Sequence, residues 1–137
     1  MPTIPKSTAT YFGSLDNRAN AAYVAAIRAR FGAEAVTHVA QVGAYNAVWL
    51  FALAAARAHG LGLEELCSAF VGTTFKDNPE GWPLMVHGNQ HTDHPSYIAC
   101  ATPAGQYEIV ADFPPRRPEP YPAVIVPEGR RPPAATW

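Results

Sequence analysis

Apolar side chains recur at Tyr23, Ile27 and Phe31, four residues apart, with Ala19, Ala22 and Ala26 beside them. That spacing predicts one face of a helix. Asp16 offers a side-chain oxygen to its start, Arg28 and Arg30 suit its carbonyl end, and Gly32 stops it. Ala35-Val36-Thr37-His38-Val39 fits a strand by alternation. From His38 to His59 a helix fits better, with Val42, Tyr45, Trp49, Leu50 and Leu53 as a broad apolar face and Gly60 as its end. A shorter helix is predicted over Leu63 to Val71, with Glu64 and Glu65 in its first turn. Leu63, Leu66, Cys67 and Phe70 line its apolar side, and Gly72 closes it.

Past Gly72 the period changes from that of helices to that of strands. Thr73-Thr74-Phe75 is β-like, and Asp77-Asn78-Pro79-Glu80-Gly81 has the residues of a turn. Trp82, Leu84 and Val86 alternate with Pro83, Met85 and His87, which predicts a half-buried strand near a sheet edge. Tyr97–Ala101 and Gln106–Ala111 flank Thr102-Pro103-Ala104-Gly105 and form the clearest hairpin. Residues 1–10 read as coil, Phe113 to Pro122 as extended chain, Ala123 to Val126 as a short edge strand, and Pro127 to Trp137 as a loose tail. The order of elements is therefore that of an α/β chain, helices followed by a β-hairpin region.

The 137 residues suit one domain. Charged residues make up 15%, against about 25% in ordinary globular chains. So low a share fits an extra apolar face, and a homo-oligomer or protein partner is expected to cover it. Ten Lys and Arg against eleven Asp and Glu leave a net charge of −1, which gives a nucleic-acid backbone nothing to hold. Val48 to Ala56, the longest apolar-rich stretch, is too short to span a bilayer, so no membrane insertion is expected. Met1 to Lys6 holds two prolines and no apolar run follows, so no signal peptide is read and a cytosolic location follows for the chain as written. Cys67 and Cys100 lack C-x-x-C spacing and read as buried thiols.

Few residues suggest chemistry. His87, His91 and His94 with Asp93 have the donor types of a zinc site, but their spacing matches no recognised ligand motif. Ordinary turn hydrogen bonds are the simpler expectation; a small metal-dependent enzyme is the alternative. No G-x-S-x-G is present, Cys67 falls on an apolar helix face, and the ten glycines are scattered as stops and turns. Tyr45 and Trp49 are explained by core packing at helical spacing. Arg116, Arg117, Arg130 and Arg131 sit among prolines and read as solvated.

The order of short motifs carries a resemblance. Tyr11-Phe12, Asp16-Asn17 and Asn20 opening a helix that ends Arg28-Ala29-Arg30-Phe31-Gly32, and Gly43-Ala44-Tyr45-Asn46-Ala47-Val48 on a long helix are its first half. Phe75 with Pro79-Glu80-Gly81, Asn89-Gln90-His91-Thr92, Gly105 to Val110 and Pro118 to Pro122 complete it. In this order they resemble the carboxy-terminal end of type I periplasmic-binding-fold proteins of the amide, urea and branched-chain amino acid class. Transporter receptor subunits and a cytoplasmic amide sensor that restrains amidase expression are members.

The resemblance runs over residues 11–122, between the coil of 1–10 and the proline-rich tail of 123–137, and covers about the last third of such a protein. It implies a partial carboxy-terminal lobe, truncated relative to the family and periplasmic if it belongs to an exported receptor. It also implies a short amide, urea or branched-chain amino acid held between two lobes, with no cofactor and no covalent step. Tyr11, Phe12 and Tyr45 are the positions expected near the cleft. Three residues depart from the family pattern: Glu80, where Gln is usual, Gln90, where His is usual, and Pro83 in what is usually a plain strand. An assembly subunit that kept the lobe and lost its ligand is a further alternative.

Overall fold

The computed structural model describes residues 5–119. Helix α1 spans Arg18–Phe31. Its cap is Asn17, not Asp16: the Asn17 side chain accepts from the Asn20 amide at 2.8 Å. Helix α2 spans Val39–Arg57, and the segment before it, which the alternation fitted to a strand, is turn and coil. His38 caps α2 through Nδ1, while Gln41 Oε1 accepts from the His38 backbone, closing a reciprocal capping box. Helix α3 spans Leu63–Phe70 and packs on α2.

Strand β1, Lys6–Ala9, lies where the sequence reads as coil. Lys-Ser-Thr-Ala has little β-propensity of its own. The partner imposes the strand: β1 pairs antiparallel with β4, Ser96–Ala101, from Lys6 opposite Cys100 to Ala9 opposite Tyr97. Strands β2, Thr74–Phe75, and β3, Leu84–Met85, form a small ribbon of their own. β4 pairs on its other side with β5, Tyr107–Phe113, so the larger sheet runs β1-β4-β5. The turn between β4 and β5 closes through Thr102 N–H to Gln106 O at 2.8 Å, with Gly105 at φ 74°. The register slips between Ile98 and Ala99, leaving an extra residue at Val110, which is exposed. Every strand pair among the described residues is antiparallel.

Three apolar clusters hold these elements. Tyr11, Tyr23 and Val42 join the loop after β1 to α1 and α2. Phe12, Tyr97 and Ala99 seat that loop on the sheet, and Leu50, Phe75 and Val86 join α2 to the small ribbon. The buried stripe of α2 is Val42, Asn46, Leu50 and Ala54, rotated from the predicted face, and Trp49 is 45% exposed. By length and mean hydropathy of 1.4, α2 alone would suffice to cross a membrane. Its buried stripe instead packs on the domain and carries an amide bonded to a buried carboxyl, as described below.

Cys67, expected in the core, is exposed, and Cys100 is half-buried; both are free thiols. The reason lies in α3, which packs chiefly on α2 and buries none of its residues, only Phe70 of it joining the Leu50–Phe75–Val86 cluster. The predicted edge strand at Ala123–Val126, the tail beyond it and the Pro120-Tyr121-Pro122 end of the resemblance lie outside the described residues.

Candidate functional site

A polar node sits where α2, the 77–81 turn and the approach to β4 meet. Glu80 is 1% exposed. Asparagine 78 builds the turn that buries it: its Oδ1 accepts from the Glu80 amide at 3.0 Å and its Nδ2 donates to the Phe75 and Trp82 carbonyls. The turn ends at Gly81, at φ 84°, where a Cβ would stand 3.0 Å from Asn17 Nδ2. Asn17 in turn donates to the Pro79 carbonyl, so the cap of α1 also pins this turn.

The Glu80 carboxyl then gathers side chains from two elements. Asn46 Nδ2 donates to Oε1 at 2.8 Å, and His94 Nδ1 lies 2.8 Å from Oε2. The Tyr97 hydroxyl donates to the Glu80 carbonyl. With its amide nitrogen on the carboxyl, Asn46 is left with a buried Oδ1 that has no hydrogen-bond partner. The hydrogen bond to Glu80 raises the pKa of His94 against the opposing effect of burial, and the Glu80 and Asp93 charges add to the rise. Burial likewise raises Tyr97, keeping its hydroxyl a donor.

The three residues expected near a cleft separate. Tyr11 and Phe12, adjacent in sequence, enter different clusters, at 2% and 7% exposure. The Tyr11 hydroxyl donates to Asn20 Oδ1 and is also 2.8 Å from Thr37 Oγ1, and burial raises its pKa. Asn20 Nδ2 donates to the Gly13 and Leu15 carbonyls, tying the loop to α1. Tyr45 is half-buried and lies in a row of rings, 5.0 Å from Tyr23, 6.2 Å from Trp49 and 6.2 Å from Phe75. Trp49 stacks on Phe75 at 5.8 Å with 24° between planes. The structure thus brings Tyr11 and Tyr45 to one cluster and places Phe12 in another.

The histidines diverge. His87 pairs with Asp93 at 3.3 Å, His94 with Glu80, and His91 Nδ1 with the Asn89 carbonyl at 2.8 Å. Among the described residues no group of three His, Cys, Asp or Glu side chains is arranged to hold a metal ion. The three imidazoles thus have separate partners and do not converge on a point. The sequence did not single out the Glu80 node as a site. Its only signals were Asn46 among apolar neighbours on α2 and Glu80 standing in for Gln.

The family profile described as "Periplasmic binding protein domain" matches residues 5–127. The match begins six residues earlier than the motif resemblance and takes in β1. The fold is similar to three solved solute-binding proteins of ABC transporters. One from R. palustris in complex with benzoate superposes with a TM-score of 0.71 at 22% identity, over 85% of this chain and 32% of that one. One from Rhodopseudomonas palustris BisB5 with 3,4-dihydroxybenzoic acid gives 0.74 at 19% identity, over 83% and 32%. One from Rhodopseudomonas palustris HaA2 with p-hydroxybenzoic acid gives 0.68 at 21% identity, over 83% and 32%. The chain thus spans about a third of the length of these proteins. A comparison with curated proteins finds no match.

Proposed function

We propose, from the premise that this chain belongs to the periplasmic binding protein domain family, that it serves as part of a solute-binding lobe. The observation that carries the reading is the family match over residues 5–127. The superposition over more than four fifths of the chain supports it at the level of fold. In this reading a solute is gripped between lobes because it favours the closed state, and no bond is made or broken. The role is that of a receptor in an ABC transport system or of a sensor governing amidase expression. The former works in the periplasm and the latter in the cytosol.

The motifs favour a short amide, urea or a branched-chain amino acid as solute. A second reading, an aromatic acid, is favoured by the row Tyr45–Trp49–Phe75, which presents flat rings at a partly exposed face, and by the ligands of the three similar structures. Tyr45 is the ligand-facing candidate in either reading, with Tyr11 buried in the same apolar cluster; Phe12 sits in a separate cluster on the sheet.

Calorimetry on the purified chain with acetamide, urea, leucine and benzoate tests this. A chain supplying part of a cleft should bind one of them weakly, on the order of millimolar. Tyr45→Ala should abolish the heat while leaving the circular dichroism spectrum unchanged. Heat with benzoate alone selects the second reading. A folded chain that binds none of the four overturns both.

A further inference from the structure

A concavity of about 360 Å³ opens at the base of the hairpin, apart from the row of rings on α2. Its lining is His94, Ser96, Phe113, Pro114 and Arg116. Ser96 and Phe113 are cross-strand partners, so their side chains share one face of the sheet. His94 lies two residues before Ser96, and Arg116 lies in the extended chain that leaves β5. Tyr97 and Asp112, the next pair along the ladder, line a different concavity.

Among the described residues, polar atoms of this lining remain without partners. His94 has committed Nδ1 to Glu80, which leaves Nε2 without a protein partner among the described residues. The side chain is 36% exposed, so this nitrogen can meet a ligand. Arg116 makes no ion pair or hydrogen bond among the described residues, and neither does the Ser96 hydroxyl. Phe113 is 46% exposed and, with Pro114, supplies an apolar wall.

We propose that this concavity is a binding site for a small monocarboxylate with an apolar body, held by Arg116, His94 Nε2–H and the Ser96 hydroxyl, with its body on Phe113 and Pro114. An arginine fork matches the two oxygens of a carboxylate, and a charged imidazole adds a second charge-assisted donor. The charged form of His94 is favoured by the contact with buried Glu80, whose carboxyl lies behind the ring. Around the ring stand Glu80 from the turn, Asp93 from its own loop, itself paired with His87, and Arg116 from beyond β5. From α2 only the neutral Asn46 reaches this network. The site does not rest on the cleft reading.

The test is a ¹H–¹⁵N titration of the full chain with phenylacetate, using neutral phenylacetamide as the control. Phenylacetate should move the amides of His94, Ser96, Phe113 and Arg116, and phenylacetamide should not. Arg116→Gln, at an exposed position outside every strand, should weaken binding about tenfold, the effect of losing one charge-assisted contact. Binding in the unaltered chain should weaken as pH rises and His94 loses its proton. Equal shifts with the amide, or an unchanged affinity in Arg116→Gln, would overturn the site. So would shifts confined to Tyr45 and Trp49, which would leave the cleft reading standing.

Discussion

Glu80 is a carboxyl that the protein keeps almost wholly out of water, and its two side-chain partners, Asn46 and His94, explain how. An unpaired buried charge costs several kcal/mol, so each partner offsets part of a large penalty. Asn46 gives its nitrogen to the carboxyl and leaves its own oxygen orphaned, at a cost of about 1–3 kcal/mol. The His94–Glu80 contact has a pH signature. The folded-state pKa of His94 lies above its ordinary value of 6.5, so the stabilisation is fully present below about pH 6.5 and is lost as pH rises through the folded value. Urea midpoints measured from pH 5.5 to 9 should therefore fall across that window in the unaltered chain. In Glu80→Gln, which keeps the shape and removes the charge, the fall should be smaller. An equal slope in both proteins would refute this account of the node.

At the scale of elements, the turn between the two small strands matters more than its length suggests. Gly81 adopts φ 84°, and a methyl group there would press on the Asn17 amide that caps α1. Gly81→Ala should destabilise the protein by about 1–2 kcal/mol, from the left-handed backbone and the strained cap together. Gly88→Ala, where an added Cβ meets nothing within 4 Å, is the matched control and should be near neutral. Chemical denaturation of the two variants decides it, since equal losses would mean the cap contact and the positive φ carry no weight. The edge strand β1 follows a different logic, because its order comes from the β4 edge and not from its own side chains.

The whole molecule shows more apolar surface than its sequence pattern would suggest for a closed domain. Phe31, Val48, Phe51, Leu61 and Leu63 are each at least half exposed, and α2 buries only one stripe. An amphipathic helix gains its stability chiefly by burying its apolar face, so an uncovered face favours association. We expect light scattering after size-exclusion chromatography to show a mass that rises with concentration. The double substitution Val48→Glu with Phe51→Glu should return a monomer. A monomer at all concentrations in the unaltered protein would count against a missing cover for α2.

What the sequence determined by itself was local: the three helices, the Thr102–Gly105 hairpin and the turn at Asn78–Gly81, each written in spacing or turn chemistry within a dozen residues. The family was legible too, through the order of motifs that the profile match over 5–127 agrees with. Only the tertiary structure could decide the strand at Lys6–Ala9, the rotation of the α2 face toward Asn46, the exposure of Cys67 and the divergence of the histidines. The physical reason is common to all four. A residue's environment is set by what packs against it, and here the deciding partners lie far away in sequence: β4 for β1, Glu80 for Asn46 and for His94. For Cys67 it is the open side of α3.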